Sequence, residues 1–306
     1  MNVFVTGAAG YIGGSVAHRL VQAGHRVRGL VRHSVRADAL STFGVTPVVG
    51  ALDDGDLLAR EARAADAVVN AADSRHRAGL EALIGGLLGS GKPLVHTSGV
   101  GMVSRDVQGD ATAQEAIDDT SPVEPGPHPA QASLHAQERR VLEASDAGIR
   151  GIVLSNSLLY GDPLGPQAES VQLPIMVRQA REDAQARFVG RGVNRWSNAH
   201  VADAAALYVL ALESAPAGAF YFVENGEASF AEVASAIARG LGLGPARSWT
   251  LEEAAARLGE GAARFLLGSD ARVRALRARS ELGWAPRHGS AGEWIKGALA
   301  REEGGA

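Results

Sequence analysis

Three glycines at three-residue spacing, Gly7, Gly10 and Gly13, follow the apolar run Val3-Phe4-Val5 and precede a helical stretch through Leu20 and Val21. A strand, a tight turn and a helix start in that order admit few folds, because each glycine meets a separate steric demand. The first permits the turn, the second lets a diphosphate approach the main chain, and the third lets helix and strand pack closely. Unpaired N–H groups at the helix N-terminus then face the anion. Glycine fills 38 of 306 positions, so the spacing alone also arises by chance. Context gives it weight: Gly24 closes the helix and a second strand runs from His25 to Arg32. The competing reading is a glycine turn in an α/β domain that holds no nucleotide.

Further apolar segments at Val27–Val31, Thr46–Val49, Ala67–Ala72, Leu94–Ser98 and Gly151–Ser155 read as strands separated by helical patterns such as Gly79–Leu88 and Pro129–Ala147. Such alternation predicts a Rossmann-type α/β fold, a doubly wound parallel sheet with helices on both faces. The Pro129 helix opens with proline in its first turn and closes at Gly148, the usual asymmetry. Residues 99–128, rich in Gly, Asp and Pro, read as a long loop. From about Pro163 the alternation breaks, and helices at Phe230–Gly240, Leu251–Leu258 and Ser290–Ala300 dominate. The expected division is a dinucleotide-binding domain over 1–162, to which 194–223 returns, and a smaller, mainly helical C-terminal substrate lobe formed by 163–193 and 224–306.

Composition narrows the function. A formal charge of −4 gives no sign of a nucleic-acid partner, and no apolar run approaches the length of a membrane span. The N-terminus enters a strand directly instead of a signal peptide, so the expected location is the cytoplasm. Cysteine is absent, which excludes disulfides, zinc–thiolate sites and thiol catalysis; no metal site is expected. Lys92 and Lys296 are the only lysines.

An acidic residue at the end of the second strand, roughly 20 residues past the glycine turn, would bind the ribose 2′-hydroxyl of NAD. The strand ends instead in Val31-Arg32-His33-Ser34-Val35-Arg36. Arg32 and Arg36 suit a 2′-phosphate, since guanidinium groups bind phosphate in a bidentate fashion. NADP is the expected cofactor, the other reading being that both arginines belong to a solvated surface.

Several segments in order carry a family resemblance: Thr6-Gly-Ala-Ala-Gly-Tyr-Ile-Gly13, Asn70-Ala-Ala72, His96-Thr-Ser98, Leu159-Tyr-Gly161, Trp196-Ser-Asn-Ala-His-Val-Ala-Asp203 and Leu282-Gly-Trp-Ala-Pro286. The chain resembles the short-chain dehydrogenase/reductase superfamily in its extended or atypical branch, with epimerase/dehydratase-like and NmrA-like members. The resemblance implies a cofactor across the carboxyl ends of the strands. Gly7, Ala9, Gly10, Tyr11, Ile12 and Gly13 would hold the diphosphate, Arg32 with Arg36 the 2′-phosphate, Leu52 the adenine, and Asn70, Ala71 and Ala72 the adenosine ribose. Where the family often has Gly-Asp-Leu, this chain has Gly50-Ala51-Leu52, which loses a polar contact to adenine.

The family's usual catalytic unit is a serine plus Tyr-x-x-x-Lys on the helix after the fifth strand. This chain lacks the pair: its tyrosines, Tyr11, Tyr160, Tyr208 and Tyr221, are followed four positions on by Ser15, Leu164, Leu212 and Asn225. Placing the family's helix by its acidic residue, Glu138, puts Ala130 and Leu134 where tyrosine and lysine belong. Ser98 matches the family serine. At about 100° per residue, Ser133 and Gln137 lie nearest the Ala130 direction, with His135 off that face. Tyr160 is the candidate proton donor, its alternative being a buried, locally bonded tyrosine. His76 and His128 are lesser candidates. His200 and Asp203 read as a strand-to-helix junction with Asp203 capping the helix, and Trp196 as a packing residue at the lobe junction.

Without the tyrosine, hydride transfer is still feasible, since near-attack positioning contributes ~7–11 kcal/mol against 10²–10⁴-fold for general acid catalysis. The favoured function is an NADPH-dependent reductase of C=N or C=O bonds in a small, largely apolar substrate; an iminium ion needs no proton at all. A non-catalytic NADP(H)-binding regulator is the second reading, and a sugar-nucleotide epimerase or dehydratase the third. A homodimer is the family-based expectation for assembly.

Overall fold

In the computed structural model, which describes residues 1–166 and 168–304, the apolar runs assemble into one seven-stranded sheet. Its strands are β1 (Asn2–Thr6), β2 (Arg26–Val31), β3 (Val45–Val49), β4 (Ala67–Asn70), β5 (Pro93–Gly99), β6 (Arg150–Asn156) and β7 (Ala219–Val223). They lie in the order β3-β2-β1-β4-β5-β6-β7, and every neighbouring pair is parallel. Helices cover both faces, so the central strands are buried and read as near-continuous apolar segments. Alternation along each strand sorts side chains between two layers. Val3 and Val5 enter one cluster, with Ala17 and Leu20 of the Tyr11–Gln22 helix. Phe4 enters the other, with Leu58, Leu83 and Val141 from the helices Gly55–Ala64, Arg77–Leu87 and Pro129–Leu142.

The strand order reverses between β1 and β4, and chains leaving those two strands diverge, which opens a crevice at their carboxyl ends. The glycine turn follows β1 there. The Pro129–Leu142 helix is fixed at its start by His128, whose side chain caps Ala130 N–H, with Gln131 returning to the His128 N–H. Its last turn tightens into a 3-10 segment, Glu143–Ala147, ended by Gly148 at φ +68°, where the sequence predicts one continuous helix.

Residues 99–128 are less free than a loop. Arg105–Asp106 pairs antiparallel with Ser269–Asp270, and Ile117–Asp118 pairs parallel with Val273–Arg274. Between those ties and the sheet, buried Asp119 accepts N–H groups from Phe222, Leu276 and Arg277. Segment 194–223 is also divided. Arg195–His200 joins a small sheet with Leu158–Tyr160 and Glu227–Ser229, the Val201–Ser214 helix packs on Tyr11–Gln22, and only β7 enters the main sheet. The larger apolar cluster runs without a break from Val3 to Trp249, Ile295 and Leu299. Among the described residues no helix is long and apolar enough to cross a membrane.

Candidate active site

Each glycine of the turn meets a measurable limit. Gly7 sits at φ +68°, and a Cβ there would lie 2.5 Å from the Ala71 carbonyl oxygen, on the very segment expected beside the ribose. A Cβ on Gly13 would collide with the Gly7 carbonyl oxygen, so the helix rests directly on the turn. Gly10 donates its N–H to Gly7 O at 2.8 Å. No side chain caps the helix that begins at Tyr11, which leaves first-turn N–H groups free for an anion. A Cβ on Gly10 would come within 3.2 Å of Gly7 O, at the place where a diphosphate must approach. These residues fit a dinucleotide.

Beneath the turn, strand ends are locked by a buried polar chain. Thr6 Oγ1 donates to Asn70 Oδ1 at 2.7 Å, and Asn70 Nδ2 donates to His96 Nδ1 at 3.1 Å. Burial holds His96 neutral, its pKa lowered to about 4. Ala72 N–H reaches Thr6 Oγ1. Asn70 therefore orients the Ala71-Ala72 backbone from below, while Ala71 and Ala72 themselves line the cleft. A second chain runs from Tyr208 Oη to Thr97 Oγ1 at 2.8 Å, and from Asn156 Nδ2 to Tyr208 Oη and to the Ser98 carbonyl oxygen. Desolvation pushes the Tyr208 pKa up to about 12 against the lowering effect of its hydrogen bonds with Thr97 and Asn156, so the phenol stays protonated.

The cleft encloses about 560 Å³. Its floor is Gly10, Tyr11, Ile12, Ala71, Ala72 and Ser98. Apolar side chains line the cleft as well, Leu134, Leu159, Val171, Trp196, Phe265 and Leu266, with the polar Glu169, Ser170 and Gln172 beside Val171. Phe265 and Leu266 arrive on a π-helical turn, Ala262–Leu267, a feature recurrent at functional sites and without any marker in sequence. Trp196 is both packing and wall, its indole N–H held by the Ser269 carbonyl at 3.1 Å. His128 lines the cleft too, its ring 4.5 Å from that of Phe265. Among the described residues Arg75 is the one arginine or lysine on the lining.

Ser98 reaches this cleft from the end of β5, and its hydroxyl donates to the Glu138 carboxylate. Glu138 is buried, and desolvation raises its pKa from 4.5 to about 7 against the opposing hydrogen bond from Ser98. The helix presents Ala130, Gln131 and Leu134 to the cleft. Ser133 is exposed and Gln137 is buried away from it. Ala130 and Leu134, the positions aligned with the family's tyrosine and lysine, thus face the cleft as expected, whereas Ser133 and Gln137 do not, and Gln131 takes their place. Gln131 is spent on Gly101 O, Ser104 O and Ser104 Oγ.

Tyr160 does not line the cleft. It is buried with its hydroxyl donating to the His288 carbonyl at 3.2 Å, and burial with the nearby Asp203 charge pushes its pKa up to about 12. The hydroxyl of Tyr11 likewise points elsewhere, donating to Gly161 O at 2.7 Å. His76 caps the Arg77–Leu87 helix and bonds Asp53. The cap of the Val201–Ser214 helix is His200, not Asp203, whose carboxylate takes the N–H and Nδ1–H of His288. Arg32 and Arg36 are exposed at the end of β2, with Arg36 donating to Ala9 O at 3.2 Å across the glycine turn. Leu52 is half-buried against the layer of Leu57 and Leu58.

Comparison with known proteins agrees with this geometry. Residues 1–123 match the NmrA-like family and residues 92–222 the NAD dependent epimerase/dehydratase family. An uncharacterized protein of Schizosaccharomyces pombe is 30% identical over 94% of this chain and 96% of its own length. The oxidase ucsJ of Acremonium sp is 30% identical over 93% and 92%, and a 2-alkyl-3-oxoalkanoate reductase of Stenotrophomonas maltophilia 28% over 74% and 71%. In structure, the UDP-glucose 4-epimerase of Thermotoga maritima superposes with a TM-score of 0.78 at 17% identity, covering 100% of both chains. The chain belongs to the extended short-chain dehydrogenases/reductases, in the branch that joins epimerase/dehydratase-like and NmrA-like members. It is a member without the Tyr-x-x-x-Lys pair.

Proposed function

We propose that this protein is an NADPH-dependent reductase that adds hydride to a C=O bond of a small, largely apolar substrate, with C=N as the second acceptor. The observation that carries the reading is the continuity of the cleft from Gly10 and Ala71 to an apolar wall at Leu159, Trp196 and Phe265. A cofactor sensor needs no such cavity beyond the nicotinamide, whereas a reductase needs one beside it. When bound, the reduced nicotinamide supplies the hydride. The protein's own part is to hold the diphosphate on uncapped N–H groups, set the acceptor against the Leu134–Trp196 wall, and exclude water from it. Positioning of this kind is worth ~7–11 kcal/mol.

Arg32 and Arg36, exposed and without a carboxylate partner among the described residues, support NADPH over NADH. The related 2-alkyl-3-oxoalkanoate reductase by its name acts on a ketone, which favours C=O over C=N. A nucleotide sugar is disfavoured, since among the described residues Arg75 alone of the lysines and arginines lines the cleft and a second diphosphate is best held by several charge-assisted bonds. The absence of the Tyr-x-x-x-Lys pair gives the regulator reading its one point of support. Stopped-flow mixing with NADPH and a panel of 2-alkyl-3-ketoesters, activated ketones and cyclic imines separates these readings. Nicotinamide oxidation well above background is expected with the ketones; tight cofactor binding with no oxidation by any acceptor would leave the regulator.

A further inference from the structure

Ser98 lines the cleft, whereas Glu138, to which it donates, lines a second pocket of about 530 Å³ together with His135. Among the described residues the two pockets share no lining residue, and this hydrogen bond joins a residue of one to a residue of the other. His135 Nδ1 is buried without a hydrogen-bond partner and lies 3.6 Å from Glu138 Oε2. A hydroxyl, a carboxyl group and an imidazole thus stand in line from one cavity to the other. We propose that Ser98, Glu138 and His135 form a proton relay from the second pocket to the cleft, and that it protonates the substrate oxygen during carbonyl reduction in place of the missing tyrosine. The relay rests on the reductase reading above.

The step balances. The carbonyl carbon accepts the hydride pair, the π electrons pass to oxygen, and oxygen takes the proton of Ser98 Oγ. Ser98 recovers it from the carboxylic acid of Glu138, and the carboxylate is reprotonated from His135, which exchanges with solvent in the second pocket. The Ser98–Glu138 contact serves both states, because the serine donates to the carboxylate and accepts from the acid. A carboxyl group that titrates near neutrality, as burial makes Glu138 do, has the driving force such a relay requires.

The groups around Glu138 are few. Ser98 faces it from β5, and His135 and Arg139 from its own helix. Asp119 and Glu124 border the pocket from the 99–128 segment, and Arg277 from the Leu276–Leu282 helix. Arg139 pairs with Glu143, Arg277 with Glu281, and Asp119 is held by three N–H groups. His135 is therefore the group placed to load it.

Two readouts test the relay. In cofactor-free protein labelled with carbon-13 glutamate, the Glu138 carboxyl should titrate near pH 7 and move upward in Ser98→Ala, which removes the hydrogen bond that favours the carboxylate. Titration in the ordinary range near about 4.3, unmoved by Ser98→Ala, would overturn the relay. In turnover, Glu138→Gln should lower kcat for ketones ~10²–10⁴-fold, with KM and NADPH affinity within about twofold, and leave reduction of a preformed iminium unchanged. It should also abolish the fall of ketone kcat above neutral pH. Equal losses on ketone and iminium would mark Glu138 as structural. His135→Gly should slow ketone reduction and recover with added imidazole; no recovery would remove His135 from the relay. If no acceptor of either kind is reduced, the reductase reading fails separately, because the carboxyl titration is read without cofactor.

Discussion

Glu138 exchanges hydration for a hydroxyl partner, and the sign of that exchange is measurable without substrate. Its folded pKa lies near 7, above the 4.5 of an unperturbed glutamate, so the native state binds the extra proton between those values. Stability from this group is full below pH 4.5, falls as pH rises through 7, and is then flat, an effect on the order of 3 kcal/mol. Glu138→Gln should abolish that slope in urea midpoints and stabilise the protein at pH 8 relative to the parent. His96 works in the opposite sense: burial depresses its pKa to about 4, so its contribution is present above 6.5 and lost on acidification toward 4. Midpoints of His96→Gln should accordingly fall less between pH 7 and 5 than those of the parent. Selectivity also belongs to single residues. Replacing Arg32 and Arg36 together by alanine should raise the NADPH Kd at least about tenfold, or ~1.4 kcal/mol, and leave NADH binding nearly unchanged; calorimetry distinguishes this from a general loss.

At the level of the element, the glycine turn makes its own forecast, because its glycines have unequal reasons to be there. Gly13→Ala drives a methyl into the Gly7 carbonyl and should cost about 1–3 kcal/mol of stability. Gly10→Ala meets only a 3.2 Å approach, so it should fold normally while NADPH affinity drops at least about tenfold; thermal melts beside binding isotherms read both. This turn and the strands were legible because β1 and its neighbours are buried on both faces and so stand out as short, near-continuous apolar runs. The ties at Arg105–Asp106 and Ile117–Asp118 are two residues long, too short to leave any periodicity. The cleft face of the Pro129–Leu142 helix was legible only in part, for another reason. Anchoring the helix on Glu138 put Ala130 and Leu134 on the cleft, where they are, but extending that face to Ser133 and Gln137 on angle alone overlooked that Gln131 lies on the cleft side instead. Asp203 read as a cap because Asp favours that role, but His200 stands one position before the helix and its Nδ1 accepts Ala202 N–H.

Across the whole molecule, the sheet and the C-terminal helices share one apolar cluster, and Asp119 ties the 99–128 segment to both. Unfolding should therefore be a single transition. Trp196, Trp249, Trp284 and Trp294 all lie C-terminal to β6, so tryptophan fluorescence reports the C-terminal part while far-ultraviolet dichroism reports the whole, and the two melts should coincide. Asp119→Ala strands buried N–H groups and should cost about 1–3 kcal/mol without splitting that transition. What the assembled cleft is for can be asked with one label. The protein is incubated with NADPH deuterated at the transferring position and a 2-alkyl-3-ketoester, and the product is read by mass spectrometry and NMR. One deuterium at the new carbinol carbon is the predicted result. Firm binding of NADPH with no deuterium transferred to any ketone or iminium would contradict it.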